Sequence, residues 1–329
     1  MKYLLNIDLL EMVLKTSSAE PLCDKEGFRF SNAYKPGEWN GFQKCNQITY
    51  QNQSFGWVYS SPSSRLRYVD RNAHVLRLAN ESLYRQTIIE DGIPAFLKAF
   101  NFTPTAIKEL HIALDGPGII DRHSTLSKNT KRFRRQRKVS ETNQTHVHSD
   151  GLSTTLGSRK SDKVIAAYCK TKELEVSHKE YIRDYWRNNG LKEEDGPIDR
   201  LELRLKASEM VGLAKDISRL NDTSFLASLF KEKADSYLTF IDIKNKKRHQ
   251  VIDWQQFELI EIKKEKKVQY HKPTQRIKTT LKTLFFVAIQ DSQDQASELA
   301  MFIAAKHGLL DWYNHRQNRW LKDNPFFAG

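Results

Sequence analysis

The sequence predicts an α+β fold: an antiparallel β-sheet catalytic domain with packed helices, followed by a helical C-terminal region. Three observations predict it. Several stretches rich in aromatic and β-branched residues alternate polar and apolar side chains with the period of two expected of half-buried strands. Between them, apolar residues recur at helical spacing. From Ala207 onward helical runs dominate, so strands come first and helices later.

In chain order, Asn46–Gln51, Ser54–Ser60 and His74–Ala79 have the composition of strands, and Leu83–Phe100 has that of a helix. Glu109–Asp115 is a clear strand. Residues 116–151 are polar, with a basic core at Lys128–Lys138 (KNTKRFRRQRK) and almost no apolar content, which predicts a long exposed loop or flexible arm. Ser153–Gly157 and Lys163–Lys170 are strands, Ser177–Asn188 is helical and Ile198–Lys206 is again a strand. Further on, Phe257–Lys267 is highly charged, Arg276–Gln290 and Gln295–His307 are amphipathic, and Trp312–Trp320 closes the chain. No internal repeat is visible. The expected division is an α+β region over 1–206 and a mainly helical region over 207–329.

Composition bounds the partners. The chain has 329 residues, 39% of them apolar, and 53 Lys and Arg against 40 Asp and Glu, for a net charge of +13. Such a surplus fits a polyanion, because each cation set on a phosphate releases condensed counterions. Three cysteines, Cys23, Cys45 and Cys169, form no CxxC pair, and this odd, sparse count argues against both a disulfide framework and a zinc ribbon. The apolar N-terminus carries Asp8 and Glu11 where a signal peptide is uncharged. No stretch reaches the roughly 20 apolar residues that span a bilayer. The expectation is a soluble cytoplasmic protein without a membrane partner.

Three strands point to a site. In HIALD, residues His111, Ala113 and Asp115 face one way and Ile112 and Leu114 the other. In RLELRLK, Leu201, Leu203 and Leu205 oppose Glu202, Arg204 and Lys206. In KVIAAYCK, Val164, Ala166, Tyr168 and Lys170 share a side. If these strands join one sheet, its polar face gathers His111, Asp115, Glu202 and Tyr168. Such a face is often only solvated. One imidazole and two carboxylates are also suitable ligands for Mg²⁺ or Mn²⁺.

The stretch Gly157–Glu173, GSRKSDKVIAAYCKTKE, resembles the central motif of the Rep_trans family, the rolling-circle replication initiators of small plasmids, with relatives in some phages. Gly157, Arg159, Ser161, Tyr168, Lys170 and Glu173 match its places. LHIALD upstream is similar to the family's apolar strand with acidic positions, and RLELRLK downstream to its Arg-apolar-Glu strand. His111 departs from the pattern, standing where the family usually has an acid, and the basic segment before Gly157 differs in length. The resemblance covers residues 108–206. It implies origin binding and metal-dependent nicking of one DNA strand. Tyr168 would attack a phosphodiester, become linked to the 5′ phosphate and leave a 3′-OH as primer. Asp115 and Glu202, with His111 or Glu173, would hold Mg²⁺ or Mn²⁺. Lys170 and Arg159 would stabilise the phosphate oxygens.

The basic segment offers phosphate contacts through Lys128, Lys131, Arg132, Arg134, Arg135, Arg137 and Lys138, with Phe133 to stack on a base. The nick site calls for single-stranded origin DNA. A host helicase, a host polymerase and a second copy of the chain are compatible partners. His146-Val147-His148 matches the His-apolar-His signature of another group of tyrosine nickases, but no strand surrounds it. The competing readings are a non-catalytic origin-binding or copy-control protein, in which Tyr168 is dispensable, and a mobilisation relaxase with the same chemistry. An RNA-binding protein fits less well, because no aromatic RNP-type strand motif is visible.

Overall fold

Strand-forming runs pair extensively in the computed structural model, which describes residues 2–16, 22–33, 42–62, 72–85, 87–144, 153–158, 161–210, 212–262, 280–284, 294–306 and 313–314. The strands are β1 (Leu4–Thr16), β2 (Phe28–Asn32), β3 (Phe42–Tyr50), β4 (Gln53–Pro62), β5 (Ala73–Leu78), β6 (Phe102–Pro117), β7 (Phe133–Arg135), β8 (Glu141–Gln144), β9 (Ser153–Leu156), β10 (Lys163–Cys169), β11 (Ile198–Lys206), β12 (Thr239–Asp242) and β13 (Arg248–Gln250). Ten of them form one sheet in the order β2-β3-β4-β5-β1-β6-β11-β10-β9-β8, and β13-β12-β7 form a second. Every pairing is antiparallel. The helices are α1 (Asn80–Leu83), α2 (Ile93–Ala99), α3 (Ile119–Lys128), α4 (Lys170–Ser177), α5 (Glu180–Asn188), α6 (Thr223–Leu238) and α7 (Asp294–Lys306). The fold is α+β, as the residue patterning predicts.

Residues 1–265 and 266–329 are two compact units. In the first, alternation sorts the sheet faces. Leu110, Ile112 and Leu114 of β6, Leu201, Leu203 and Leu205 of β11, and Ile165 and Ala167 of β10 are buried in the main core with Phe225, Leu226 and Phe230 of α6. Asp222 caps α6, its carboxylate accepting from the Ser224 N–H at 2.8 Å. A smaller apolar cluster, containing Leu174 of α4, Ile182 and Trp186 of α5, Tyr84 and Ile198, accompanies the other face of β11. In the second unit Ala300 and Ala304 of α7 are buried with Leu281 and Tyr313. Among the described residues no helix is long and apolar enough to cross a membrane.

Several expectations are corrected. Residues 116–151 are not a plain loop, because they contain α3, β7 and β8. Ile119, His123 and Leu126 recur at helical spacing and are buried, so few apolar residues suffice when they share one face. The expected helix over 83–100 is broken into α1, a π-helical turn at Ile88–Gly92, and α2 with Pro94 in its first turn. Proline has no N–H to donate and is tolerated only at such a start. The region after 207 is less uniformly helical than expected, because β12 pairs with both β13 and β7. Finally, β1 falls outside the expected strands. Its buried apolar residues run Leu5 and Ile7, then Leu10, Met12 and Leu14, a change of phase at the bulge between Ile7 and Leu9 that breaks simple alternation.

The sheet also contains a close backbone approach. A Cβ on Gly56 of β4 would lie 2.2 Å from the Arg77 carbonyl oxygen and 2.9 Å from Leu78 Cα. Backbone atoms of a paired strand cannot step aside as a side-chain end can. Gly56→Ala is expected to cost about 1–3 kcal/mol, read as a lower thermal midpoint. An unchanged midpoint would mean that β4 and β5 are not packed so closely.

Candidate active site

Strand register assembles the polar face. Between β6 and β11, Asp115 stands opposite Arg200, Ala113 opposite Glu202 and His111 opposite Arg204. Between β11 and β10, Arg200 stands opposite Tyr168 and Glu202 opposite Ala166. Directly opposed residues of an antiparallel pair project from the same face, so His111, Asp115, Arg200, Glu202, Arg204 and Tyr168 share one. A register shift in the β1–β6 pairing lies between Ile7 and Leu9. Asp8 is therefore the extra residue of a bulge, a device that re-aims a side chain, and its carboxylate joins the same network.

Arg200 is the hub, with a fully buried side chain. Its Nε and Nη2 donate to the two carboxylate oxygens of Asp115 at 2.6 and 2.7 Å. Its Nη1 donates to Asp8 Oδ1 at 2.8 Å, and Nη2 also donates to the Tyr84 hydroxyl at 2.8 Å. Tyr84 in turn donates to Asp8 Oδ1 at 2.8 Å, and Trp186 Nε1 to Asp115 Oδ2 at 2.8 Å. Both oxygens of Asp115 are thus occupied. Burial, the largest single influence, would raise the Asp8 pKa, but the Arg200 and Lys170 charges and the Tyr84 hydrogen bond together hold the carboxyl below its usual range.

Glu202 is the second hub. Its Oε1 lies 2.7 Å from His111 Nδ1 and accepts from Arg204 Nε at 3.0 Å. Its Oε2 accepts from Arg204 Nη2 at 3.0 Å and from the Tyr168 hydroxyl at 3.3 Å. Burial would raise its pKa, yet the His111 and Arg204 bonds keep it well below the carboxylate range. Tyr168 is half-buried and titrates well above 10, chiefly from burial, with the charges of Glu202, Asp8 and Glu173 adding to it against Arg200. Lys170 opens α4 directly after the tyrosine strand. It is buried, pairs with Glu173, and its Nζ lies 5.7 Å from the Tyr168 ring centroid.

His111 Nε2 bonds Glu109 Oε1 at 2.9 Å while Nδ1 bonds Glu202. Burial lowers its pKa, but these two carboxylates more than compensate and raise it to about 9. The folded state therefore binds this proton more tightly than the unfolded chain, whose histidine titrates near 6.5. The resulting stabilisation is complete below about pH 6.5 and lost as pH rises through about 9, with a ceiling on the order of 3 kcal/mol. Glu202 expresses the same pairing from the other side, so its shift is not added. Urea unfolding from pH 6 to 10 is expected to show this alkaline loss, and His111→Gln to flatten it. A wild-type curve flat over that window would contradict the pairing.

The expected metal ligands do not converge as a cage. Both oxygens of Asp115 face Arg200 or Trp186, both of Glu202 accept from protein donors, and both His111 nitrogens contact carboxylates. Among the described residues no group of three or more His, Cys, Asp or Glu is arranged to hold a metal ion. This donor set, as it stands, does not fit Mg²⁺ or Mn²⁺: an ion at Glu202 would have to displace Arg204 or His111. Arg159, His146 and His148 lie outside the described residues.

The basic segment divides. Lys128, Lys131, Arg132, Arg134, Arg137 and Lys138 are exposed. Arg135 is instead bound into the fold: it donates to the Tyr237 carbonyl at 2.6 Å, pairs with Glu141 and lies over the Phe240 ring. Phe133 is half-buried against His249, ring centroids 5.0 Å apart. Sequence reasoning missed Asp8, Tyr84, Trp186 and the hub role of Arg200. Only Arg200 had a local signal, since it shares the two-residue period of Glu202 and Arg204.

The profile of the Rep_trans family, described as replication initiation factor, matches residues 119–313. Among curated proteins none matches the chain. A rolling circle replication initiator protein from Geobacillus stearothermophilus is a similar solved structure, with a TM-score of 0.44 at 13% identity over 77% of this chain and 94% of that one.

Proposed function

We propose a DNA-nicking function from one premise: this chain belongs to the Rep_trans family of replication initiation factors. In this reading the protein binds an origin, nicks one strand with Tyr168 and leaves a 3′-OH for rolling-circle copying. The observation that carries it is the hydrogen bond between the Tyr168 phenol and the Glu202 carboxylate, 3.3 Å long, on a face lined by cations.

The chemistry follows from that pair. A phenol with a raised pKa is a poor nucleophile until a base takes its proton. Glu202 is kept ionised and is already hydrogen-bonded to that proton. Tyr168 Oη bonds to phosphorus as the P–O3′ bond breaks. The phenolic proton passes to Glu202 and stays there, while the His111 imidazolium gives one of its own protons to the departing 3′-oxygen. Atoms and charge balance, and the phosphotyrosyl link retains the bond energy for rejoining. Arg204, whose side chain is 44% exposed, can turn from Glu202 to the incoming phosphate. Arg159 and Lys170 are assigned to phosphate stabilisation by the resemblance, and Asp115 to positioning through Arg200. Nicking belongs to residues 1–206, and 207–329 serve origin or host-protein contact, with a host helicase and polymerase continuing synthesis in the cytoplasm.

The test is the covalent product. Supercoiled plasmid carrying the protein's own gene and flanks is incubated with the full chain and Mg²⁺, Mn²⁺ or chelator, then digested with nuclease and protease. Mass spectrometry is expected to find a nucleotide 5′-phosphate on the peptide bearing Tyr168. The adduct on another residue would move the nucleophile, and plasmid binding without any adduct would overturn the enzymatic reading. The chelator arm reads the divalent-ion requirement directly.

A further inference from the structure

We propose that the β12–β13 hairpin is a duplex-DNA-binding ribbon, composed of none of the nicking residues and of none of the basic run at 128–138. The inference deepens the origin-binding part of the function proposed above and rests on it.

Four cations, Lys244, Lys246, Lys247 and Arg248, cluster at the turn and the start of β13, and all are exposed. The one acid between residues 239 and 250 is Asp242, so that segment carries a net charge of +3. Asp242 is buried and turned inward. Its Oδ1 accepts from the Lys244 and Asn245 N–H groups at 2.9 and 3.2 Å, and its Oδ2 from Arg132 Nε at 3.1 Å. The carboxylate is consumed in building the turn, and the outward surface is left cationic.

The turn is also ordered in advance. Asp242 N–H donates to the Lys247 carbonyl at 2.8 Å and Lys246 N–H to the Asp242 carbonyl at 2.9 Å. Lys247 N–H donates to Asn245 Oδ1 at 2.9 Å, and Lys246 takes the left-handed conformation at φ 61°. The third strand, β7, braces the ribbon: Phe240, Ile241 and Asp242 pair with Arg135, Arg134 and Phe133. Exposed Arg132 and Arg134 extend the cationic edge.

A charge run on a flexible loop is usually only solvated, and its freedom would be lost on binding. Here the backbone is fixed before any ligand arrives, which removes that cost. The turn between β12 and β13 projects from the three-stranded sheet and presents its cations together, an arrangement suited to the paired phosphate rows that flank a groove of B-DNA. Double-stranded DNA is therefore the partner that matches both shape and charge.

The test uses the full chain with Lys244→Gln, Lys246→Asn and Lys247→Gln together; Asn tolerates the left-handed position. Fluorescence anisotropy with duplex DNA from the flank of its own gene is measured over a range of KCl. The expected result is at least tenfold weaker duplex binding near 0.1 M salt and a salt slope smaller by about 2 to 3, from roughly 0.9 per phosphate contact. Cleavage of a single-stranded oligonucleotide from the same flank is expected to be unchanged. Unchanged duplex affinity and slope would overturn the proposal, and so would equal losses on duplex and single strand. The all-arginine variant at the three positions keeps the charge and is expected to retain the wild-type slope; loss of the slope there as well would also overturn it. A wild-type protein that binds duplex without nicking would sink the nickase reading and leave the ribbon standing.

Discussion

Arg200→Met should lower the unfolding free energy by about 3–5 kcal/mol, the largest stability effect expected of any single substitution at this site. The side chain is fully buried and donates to Asp115 twice, to Asp8 and to Tyr84. Methionine fills much of its volume but leaves two carboxylates facing each other without a cation. Either one takes up a proton on folding or water enters, and both cost stability. Arg200→Lys keeps the charge and loses the planar fork that meets Asp115 bidentately, so it should recover only part of the loss. Urea unfolding of the three proteins at pH 7 reads this. A midpoint for Arg200→Met equal to wild type would show that the network is not closed as described. Because the Asp8 carboxyl is held below its usual range beside Arg200, the penalty should shrink in acid, where a protonated carboxyl needs no cation.

Tyr168→Phe should reduce nicking by about a thousandfold or more while leaving the fold intact. The substitution removes one oxygen and one hydrogen bond, that to Glu202 at 3.3 Å. Losing it costs stability on the order of 1 kcal/mol, too little to unfold the sheet. Among the described residues the neighbouring phenols are otherwise committed: Tyr84 to Asp8 and Arg200, Tyr181 to Asn80 and Tyr185 to the Leu5 carbonyl. Plasmid nicking, duplex affinity and thermal midpoint measured together separate the effects. Retained affinity and midpoint with lost nicking is the expected pattern. Nicking within tenfold of wild type would remove Tyr168 from the reaction. Glu202→Gln provides the companion measurement, because an amide cannot take the phenolic proton yet keeps most of the volume.

Much of the central sheet is legible in the residue pattern alone. The period of two in HIALD and RLELRLK separates His111, Asp115, Glu202 and Arg204 from the leucines beneath them, and antiparallel register then brings Tyr168 beside Glu202. What is illegible has specific causes. β1 keeps a two-residue period on either side of the bulge between Ile7 and Leu9, but the bulge shifts its phase, so the strand lacks the unbroken alternation that marks a half-buried strand. The segment after Asp115 reads as a loop because α3 buries only a narrow stripe. Phe133 and Arg135 are both suited in type to nucleic acid, yet distant residues draw them into packing. Arg135 is held by the Tyr237 carbonyl, 102 positions away, and Phe133 by the His249 ring.

The fold class, the strands that carry the site and the side chains that leave each strand on the same face all follow from the order of residues. Those are local properties, set by the two-residue pleat and by whether each side chain prefers water. What those side chains meet is settled at the tertiary level. Asp8 reaches Arg200 across 192 positions of sequence, by way of a bulge in β1. Asp115 is held by Arg200 and Trp186 rather than set free for a cation, and His111 is held charged between two carboxylates. Burial imposes these pairings: a charge removed from water must find its partner inside the protein, and which partner is within reach depends on how distant strands and helices pack.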